Sequence, residues 1–270
     1  MIPNILSIAG SDPSGGAGIQ ADLKAISANG GYGMAAITAL TAQNTQGVRA
    51  VTLTEPEMVA AQIAAIRDDI RIDAVKIGML GSAAIIEAVA EPLSDLSAPV
   101  VLDPVMVAKG GDRLLAAEAV AALRNRLLPL ASVITPNLPE AADLLGTDMA
   151  MDRPGMEAQA KALLAFGPQA VLLKGGHLAG GDSPDLLLSA TESHWFEGAR
   201  HATRNTHGTG CTLSSALATQ LGHGLPLPQA TSRAKSYIAE AIARSDHLSV
   251  GSGHGPVHHF HAVFQETIEP

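Results

Sequence analysis

The chain has 270 residues, 47% hydrophobic and 16% charged, with a formal net charge of -9 and a pI near 5.5. Its length and apolar content suit one large α/β domain over residues 1–270, and its acidic balance argues against nucleic acid or anionic membrane as a partner, since either would be repelled. A single cysteine excludes an intramolecular disulfide, no apolar run approaches the roughly 20 residues of a membrane span, and the N-terminal MIPNILSIAG lacks the pattern of a secretory leader, so a soluble cytoplasmic protein is expected.

Short apolar runs alternate with longer amphipathic ones. In chain order the pattern predicts a strand at 4–9, a helix at 19–28, strands at 35–40 and 48–53, a helix at 57–68 and a strand at 74–77. There follow a helix at 83–91, a strand at 100–102, a helix at 116–127, a strand at 132–135, helices at 139–145 and 155–165, and a strand at 170–173. Several of these strands are unbroken Val/Ile/Leu runs, the pattern of strands buried on both faces. Beyond residue 173 the pattern predicts a hairpin from 185–190 and 194–196, then helices at 211–221 and 229–243. Alternating strands and crossover helices imply a central, mostly parallel sheet flanked by helices on both faces. Ligands then bind at the carboxyl ends of the strands.

The first glycine cluster, AGSDPSGGAGIQADLK over residues 9–24, follows the first strand and opens a helix. Its Gly16 to Ala21 stretch fits a dinucleotide fingerprint, but the next strand ends without the acidic residue that would hold a ribose, and no Gly-Lys-Ser/Thr marks a Walker loop. What remains is a glycine-rich passage with Ser11, Asp12, Ser14, Gln20 and Asp22 around it. Gln43 and Met79 follow later strands into the same crevice. Gln43 donates and accepts at once, which suits the mixed edge of an aminopyrimidine, and Asp22 offers an acceptor for an exocyclic amine. Asp103 closes the strand VVLD before Pro104, a place that suits either an Mg²⁺ ligand or a turn former. Asn137 and Glu140 have capping-box spacing, with Pro139 in the first helical turn. Capping alone explains that spacing, and a place in the crevice near Mg²⁺ and phosphate is the functional alternative.

Gly208, Thr209 and Gly210 stand directly before a helix that begins at Cys211. Unpaired first-turn amides and the positive end of the helix dipole make this an anion site, suited to a phosphoryl group in transfer. The same field is expected to lower the Cys211 pKa from about 8.5. Three roles stand open on the residues alone: a base for a substrate hydroxyl, a covalent nucleophile with a histidine such as His207, and a small buried hydrophobe.

The segments GSDPSGGAGIQADLK, KIGMLG (76–81), LDPVMVAKGG (102–111), TPNLPEA (135–141), LLKGGH (172–177), THGTGCTLSSA (206–216) and GHGPVHHF (253–260) resemble, in this order, the hydroxymethylpyrimidine/phosphomethylpyrimidine kinases of thiamine biosynthesis, in the ribokinase-like superfamily. The resemblance implies a ribokinase-like fold and transfer from ATP, with Mg²⁺, to 4-amino-5-hydroxymethyl-2-methylpyrimidine and then to its monophosphate. It implies Cys211 as the base and Gly208, Thr209 and Gly210 as the anion hole. On the same grounds Asp22 and Gln43 would read the aminopyrimidine, in a pocket lined by Gly10, Met79 and Val107. Asn137, Glu140 and Asp103 would gather around Mg²⁺ and the ATP phosphates, with Lys174 and Lys235 nearest the nucleotide. A homodimer is also expected from the superfamily. Two alternatives remain beside this reading: a pyridoxal or pyridoxine kinase, and a non-catalytic pyrimidine-binding regulator, which would not need the phosphate machinery. His254, His258, His259 and His261 match no zinc spacing and read as packing.

Overall fold

The structure is a computed structural model that describes residues 1–106 and 117–263. Strand β1 (Asn4–Ala9) runs through the interior of an eight-stranded sheet, between β2 (Tyr32–Ile37) and β5 (Ala74–Ile77). Beyond β5 the sheet continues through β6 (Val100–Leu102), β7 (Val133–Ile134) and β8 (Ala170–Lys174), all parallel. It ends in the antiparallel strands β9 (Asp185–Ser189) and β10 (Ser193–Phe196). This is the expected architecture, a mostly parallel sheet flanked by helices.

Alternating side chains of the unbroken apolar strands feed two cores. Leu6, Ile8, Val75, Ile77 and Leu102 pack with α2 (Pro56–Arg67), α3 (Ala83–Leu93), α5 (Leu138–Leu145) and α6 (Arg153–Leu164). The intervening Ile5, Ala74, Val101 and Leu172 pack with α1 (Gly18–Ala28), α7 (Thr209–Gly222) and α8 (Leu227–Ala243). The helix predicted over 116–127 is α4 (Ala117–Ala122), which passes into a π turn at Leu123–Leu127. His259, near the C-terminus, is buried and contacts Thr212 of α7 at 3.0 Å, while its carbonyl accepts from Tyr237 of α8.

One predicted pair of strands belongs elsewhere. The run expected over 35–40 breaks at Thr38. Its second part forms β3 (Ala39–Asn44), which pairs antiparallel with β4 (Gly47–Leu53) as a separate two-stranded flap. Thr38 fixes the flap's base: its amide donates to Ala9, its hydroxyl donates to the Met79 carbonyl at 2.7 Å, and its carbonyl accepts from Thr54. β4 is exposed over most of its length, so its apolar residues do not signal a central strand.

Under the site, Lys76 of β5 and Asp22 of α1 form an ion pair with both side chains fully buried, Nζ lying 2.8 and 2.7 Å from the two carboxylate oxygens. Ser7 of β1 and Ser215 of α7 donate to the same carboxylate at 2.6 and 2.8 Å. Burial is the largest influence and opposes the ammonium, but the charge and hydrogen bonds of Asp22, joined by Asp103 and Cys211, together outweigh it and hold Lys76 above its ordinary pKa. The pair therefore stitches two strands to two helices through one carboxylate. Removing one partner strands a buried charge, at a cost of about 3–5 kcal/mol, whereas removing both is far milder. Lys76→Met is expected to lower the urea unfolding midpoint by that free energy, and Lys76→Met/Asp22→Leu to recover most of it. A single-variant loss under about 1 kcal/mol would contradict the pair's role.

Candidate active site

The carboxyl ends of β1, β5, β6 and β8 open on a cavity of about 670 Å³. At one end lie Gly10 after β1, Met79 after β5, and Thr41 and Gln43 on the flap. At the other lie Asp103 after β6, Lys174 at the end of β8, and Asn137 and Glu140 at the start of α5. The start of α7, from Gly208 to Cys211, lines the same cavity.

Close backbone contact brings that helix start into place. Gly208 has φ +76°, and a Cβ there would lie 1.8 Å from the Gly16 carbonyl oxygen of the first glycine loop. Gly18, at φ +55°, would likewise drive a Cβ to 2.4 Å from the Gly10 carbonyl. Only glycine tolerates both the left-handed backbone and the approach. Asp12 then clamps the first loop: its carboxylate accepts from the Ser14 amide and hydroxyl at 2.9 and 2.7 Å and from the Ala17 amide at 2.8 Å. His207 Nε2 contacts the same carboxylate at 2.7 Å, tying the second loop to the first.

The anionic end is a network of paired charges. Lys174 Nζ lies 3.1 Å from Asp103 Oδ1, and Thr135 and Ser214 donate to the same carboxylate. A Cβ on Gly210 would stand 3.3 Å from both Asp103 Oδ2 and Lys174 Nζ, so α7 begins directly against this pair. Burial acts against the Lys174 charge, but Asp103 and Glu140 outweigh it and raise its pKa. Asn137 and Glu140 form a complete capping box, each side chain accepting from the other's backbone amide at 2.8 Å, and both also face the cavity. Burial pushes Glu140 up to about 7; Lys174 opposes the rise and the Asp103 charge adds to it. Lys235 of α8 reaches the cavity wall, where it is held by Asp185 at 2.5 Å and the Ser183 carbonyl at 2.7 Å.

Two expectations are corrected by this geometry. Asp22 does not face the cavity: it is fully buried, and Lys76, Ser7 and Ser215 occupy its carboxylate, leaving no acceptor for a ligand amine. Cys211 is not a lowered thiol. It keeps part of its surface open to the cavity, yet burial pushes its pKa up to about 11, against the pull of the Lys76 ammonium and of a hydrogen bond from the Gly18 amide. A helix start is worth roughly 1 kcal/mol, under one pKa unit, while desolvation is worth up to several units, so burial wins. Val107 lies outside the described residues. The sequence does not single out Lys76, whose one signal is a charge inside the apolar strand AVKI, and it offers Asp12 and His207 separately, since their pairing across 195 positions has no local signal.

A mostly parallel sheet with glycine-started helices closing on paired carboxylates and a lysine at the strand ends defines a small-molecule kinase of the ribokinase-like class. The phosphomethylpyrimidine kinase family profile matches residues 12–258, and the chain belongs to that family of phosphotransferases. It is 55% identical over 260 residues to the hydroxymethylpyrimidine/phosphomethylpyrimidine kinase of Escherichia coli, covering 96% of this chain and 98% of that one. It is also 50% identical to a thiamine biosynthesis bifunctional protein of Geobacter sulfurreducens, covering 96% of this chain and 53% of the relative. The solved ADP complex of Bacillus subtilis pyridoxal kinase superposes with a TM-score of 0.90 at 38% identity, covering 98% of this chain and all of that one.

The raised thiol is directly measurable, because Cys211 is the sole cysteine. With a pKa of about 11 the free enzyme holds on the order of 0.1% thiolate at pH 8, and alkylation by iodoacetamide should climb about tenfold per pH unit from pH 7 to 10. A plateau at or below pH 9 would show an ordinary or activated thiol instead.

Proposed function

We propose that this enzyme transfers the γ-phosphoryl group of ATP to the hydroxymethyl oxygen of 4-amino-5-hydroxymethyl-2-methylpyrimidine, and then to the resulting monophosphate, supplying the diphosphate for thiamine biosynthesis. The observation that carries this reading is the start of α7, which stands between the Gln43 and Met79 end of the cavity and the Asp103, Lys174 and Glu140 end. A hydroxyl held beside Cys211 and a phosphoryl group held on the amides of Gly208 and Gly210 would meet there, the Thr209 amide being engaged by the Thr206 carbonyl at 3.3 Å. Phosphoryl transfer is loose, so positioning and charge stabilisation dominate and the hydroxyl keeps its proton until late. A neutral thiol suits that order of events: Cys211 orients the hydroxyl through its sulfur, and since an S–H has no place for a further proton, the hydroxyl proton would pass to an oxygen of the transferring phosphoryl group as the new bond forms. Lys174 stabilises charge on the phosphates, with Asn137 and Lys235 on the nucleotide side, and Gly10, Met79 and Gln43 hold the ring. By resemblance, Val107 would belong to the same pocket.

Asp103 and Glu140 supply hard oxygen donors, and the Asp103 charge that raises Glu140 favours a cation between them, so the residues fit Mg²⁺ bound with substrate phosphates. The ion, when bound, neutralises charge on the β and γ oxygens.

The sheet runs unbroken from β10 to β2, which supports reading 1–270 as one domain. Exposed Leu40, Val51 and Leu53 on the flap, with Tyr32 on edge strand β2 and Met58 on α2, support a homodimer. Among the described residues no helix is long and apolar enough to cross a membrane, in keeping with a cytoplasmic place. The likeness to pyridoxal kinase favours vitamin B6 salvage as the second reading.

Mass spectrometry of products after incubation with Mg-ATP and either hydroxymethylpyrimidine or pyridoxal tests the proposal. A pyrimidine gaining one and then two phosphoryl groups is the expected result. A single addition would remove the second step, phosphorylation of pyridoxal alone would move the assignment to vitamin B6, and no mass gain by either would contradict kinase action on these substrates.

A further inference from the structure

The two loops meet at a chain of polar contacts that ends on Gln43. Hydrogen bonds from His207 and Ser14 outweigh burial and hold the Asp12 carboxyl below its ordinary pKa, so at neutral pH it is an anion that only accepts. The 2.7 Å contact of its Oδ2 with His207 Nε2 is therefore a donation from an Nε2–H. That nitrogen has no lone pair left to offer. The Gln43 amide lies beside it, with Nε2 at 3.4 Å from His207 Nε2 and Oε1 at 3.4 Å from Thr41 Oγ1. The single hydroxyl hydrogen of Thr41 is engaged by the Ser11 carbonyl at 2.9 Å, so Thr41 can only accept from Gln43. Two independent neighbours thus make the same demand. Turning the amide by 180° about its last bond leaves the heavy atoms in place, gives its NH₂ to Thr41 and removes the donor-to-donor contact at His207, whose one Nε2 hydrogen is held by Asp12.

We infer that His207, held by Asp12, is a positioning residue that fixes the polarity of the Gln43 amide and thereby decides which way round a heteroaromatic substrate sits. The inference rests on the aminopyrimidine reading. Gln43 faces the cavity with an acceptor on its His207 side and a donor on its Thr41 side. A 4-aminopyrimidine edge offers the matching pair, an exocyclic amine and a ring nitrogen. Its 4-amino and 5-hydroxymethyl groups are neighbours on the ring, so an amine placed at the His207 side carries the hydroxymethyl group toward α7 and Cys211. The opposite amide polarity would turn that group away. The 4-oxo analogue, with a ring N–H and a carbonyl oxygen in those places, meets the amide donor to donor and acceptor to acceptor. Pyridoxal carries no such amine beside its 5-hydroxymethyl group.

The test compares kcat/KM for 5-hydroxymethyl-2-methylpyrimidines bearing 4-amino or 4-oxo groups. The wild type, which needs no variant to fold, should prefer the amino compound by at least about 100-fold. His207→Phe frees the amide to rotate. Asp12→Asn lets the imidazole carry its proton on Nδ1 and accept at Nε2. In both variants the preference should fall below about tenfold. A merely structural role would depress both substrates in proportion, and an unchanged ratio in the variants would overturn the inference, as would a wild type that takes both compounds alike. Failure of the wild type to phosphorylate the amino compound at all is a different result: it would remove the underlying reading, and the inference with it.

Discussion

The structure depends on one close approach of backbone to backbone, the Gly16 carbonyl lying where a Cβ of residue 208 would be. Without it the start of α7 could not sit against the first glycine loop. The cavity would then lose the meeting point of its two ends. A left-handed non-glycine residue costs about 1–2 kcal/mol, and a 1.8 Å overlap with a carbonyl oxygen cannot be relieved by a rotamer. The neighbouring interactions all hold this junction: Asp12 stapling the first loop and gripping His207, Gly18 seated over the Gly10 carbonyl, and Gly210 seated on the Lys174–Asp103 pair.

Burial rather than the helix field governs the charges around it. The same desolvation that lifts Cys211 and Glu140 would also neutralise Lys76 and Lys174, were it not that each lysine faces a carboxylate. The result is a floor of two compensated ion pairs beneath a neutral thiol. Such a floor is rigid and poor in mobile charge, which suits a reaction whose demands are alignment and a fixed set of donors.

The parts of the fold legible in the sequence were those with a local cause. β1, β5 and β6 are short Val/Ile/Leu runs buried on both sides, and their predicted limits coincide with the observed ones. The capping box at Asn137 and Glu140 was legible for the same reason, since all its partners lie within three residues. The flap's separate place is not legible, because Val48, Val51 and Leu53 have strand composition, and composition does not say whether a strand joins the central sheet. Asp22 illustrates the deeper limit: its neighbours in sequence suggested a ligand contact, while its real partners are Lys76 and Ser215, 54 and 193 positions away. The raised thiol has the same kind of cause: a helix start is visible in sequence, and burial by distant elements is not.

The central claim is that backbone placement at the α7 start, more than the chemistry of the thiol, makes the site. Steady-state turnover of Gly210→Val beside that of Cys211→Ala tests it most directly, with folding of each variant checked by circular dichroism. A valine side chain would be driven into the Lys174–Asp103 pair, so Gly210→Val should lose as much activity as Cys211→Ala or more. Near-normal turnover by Gly210→Val, alongside a large loss in Cys211→Ala, would contradict the account and return the burden of catalysis to the cysteine.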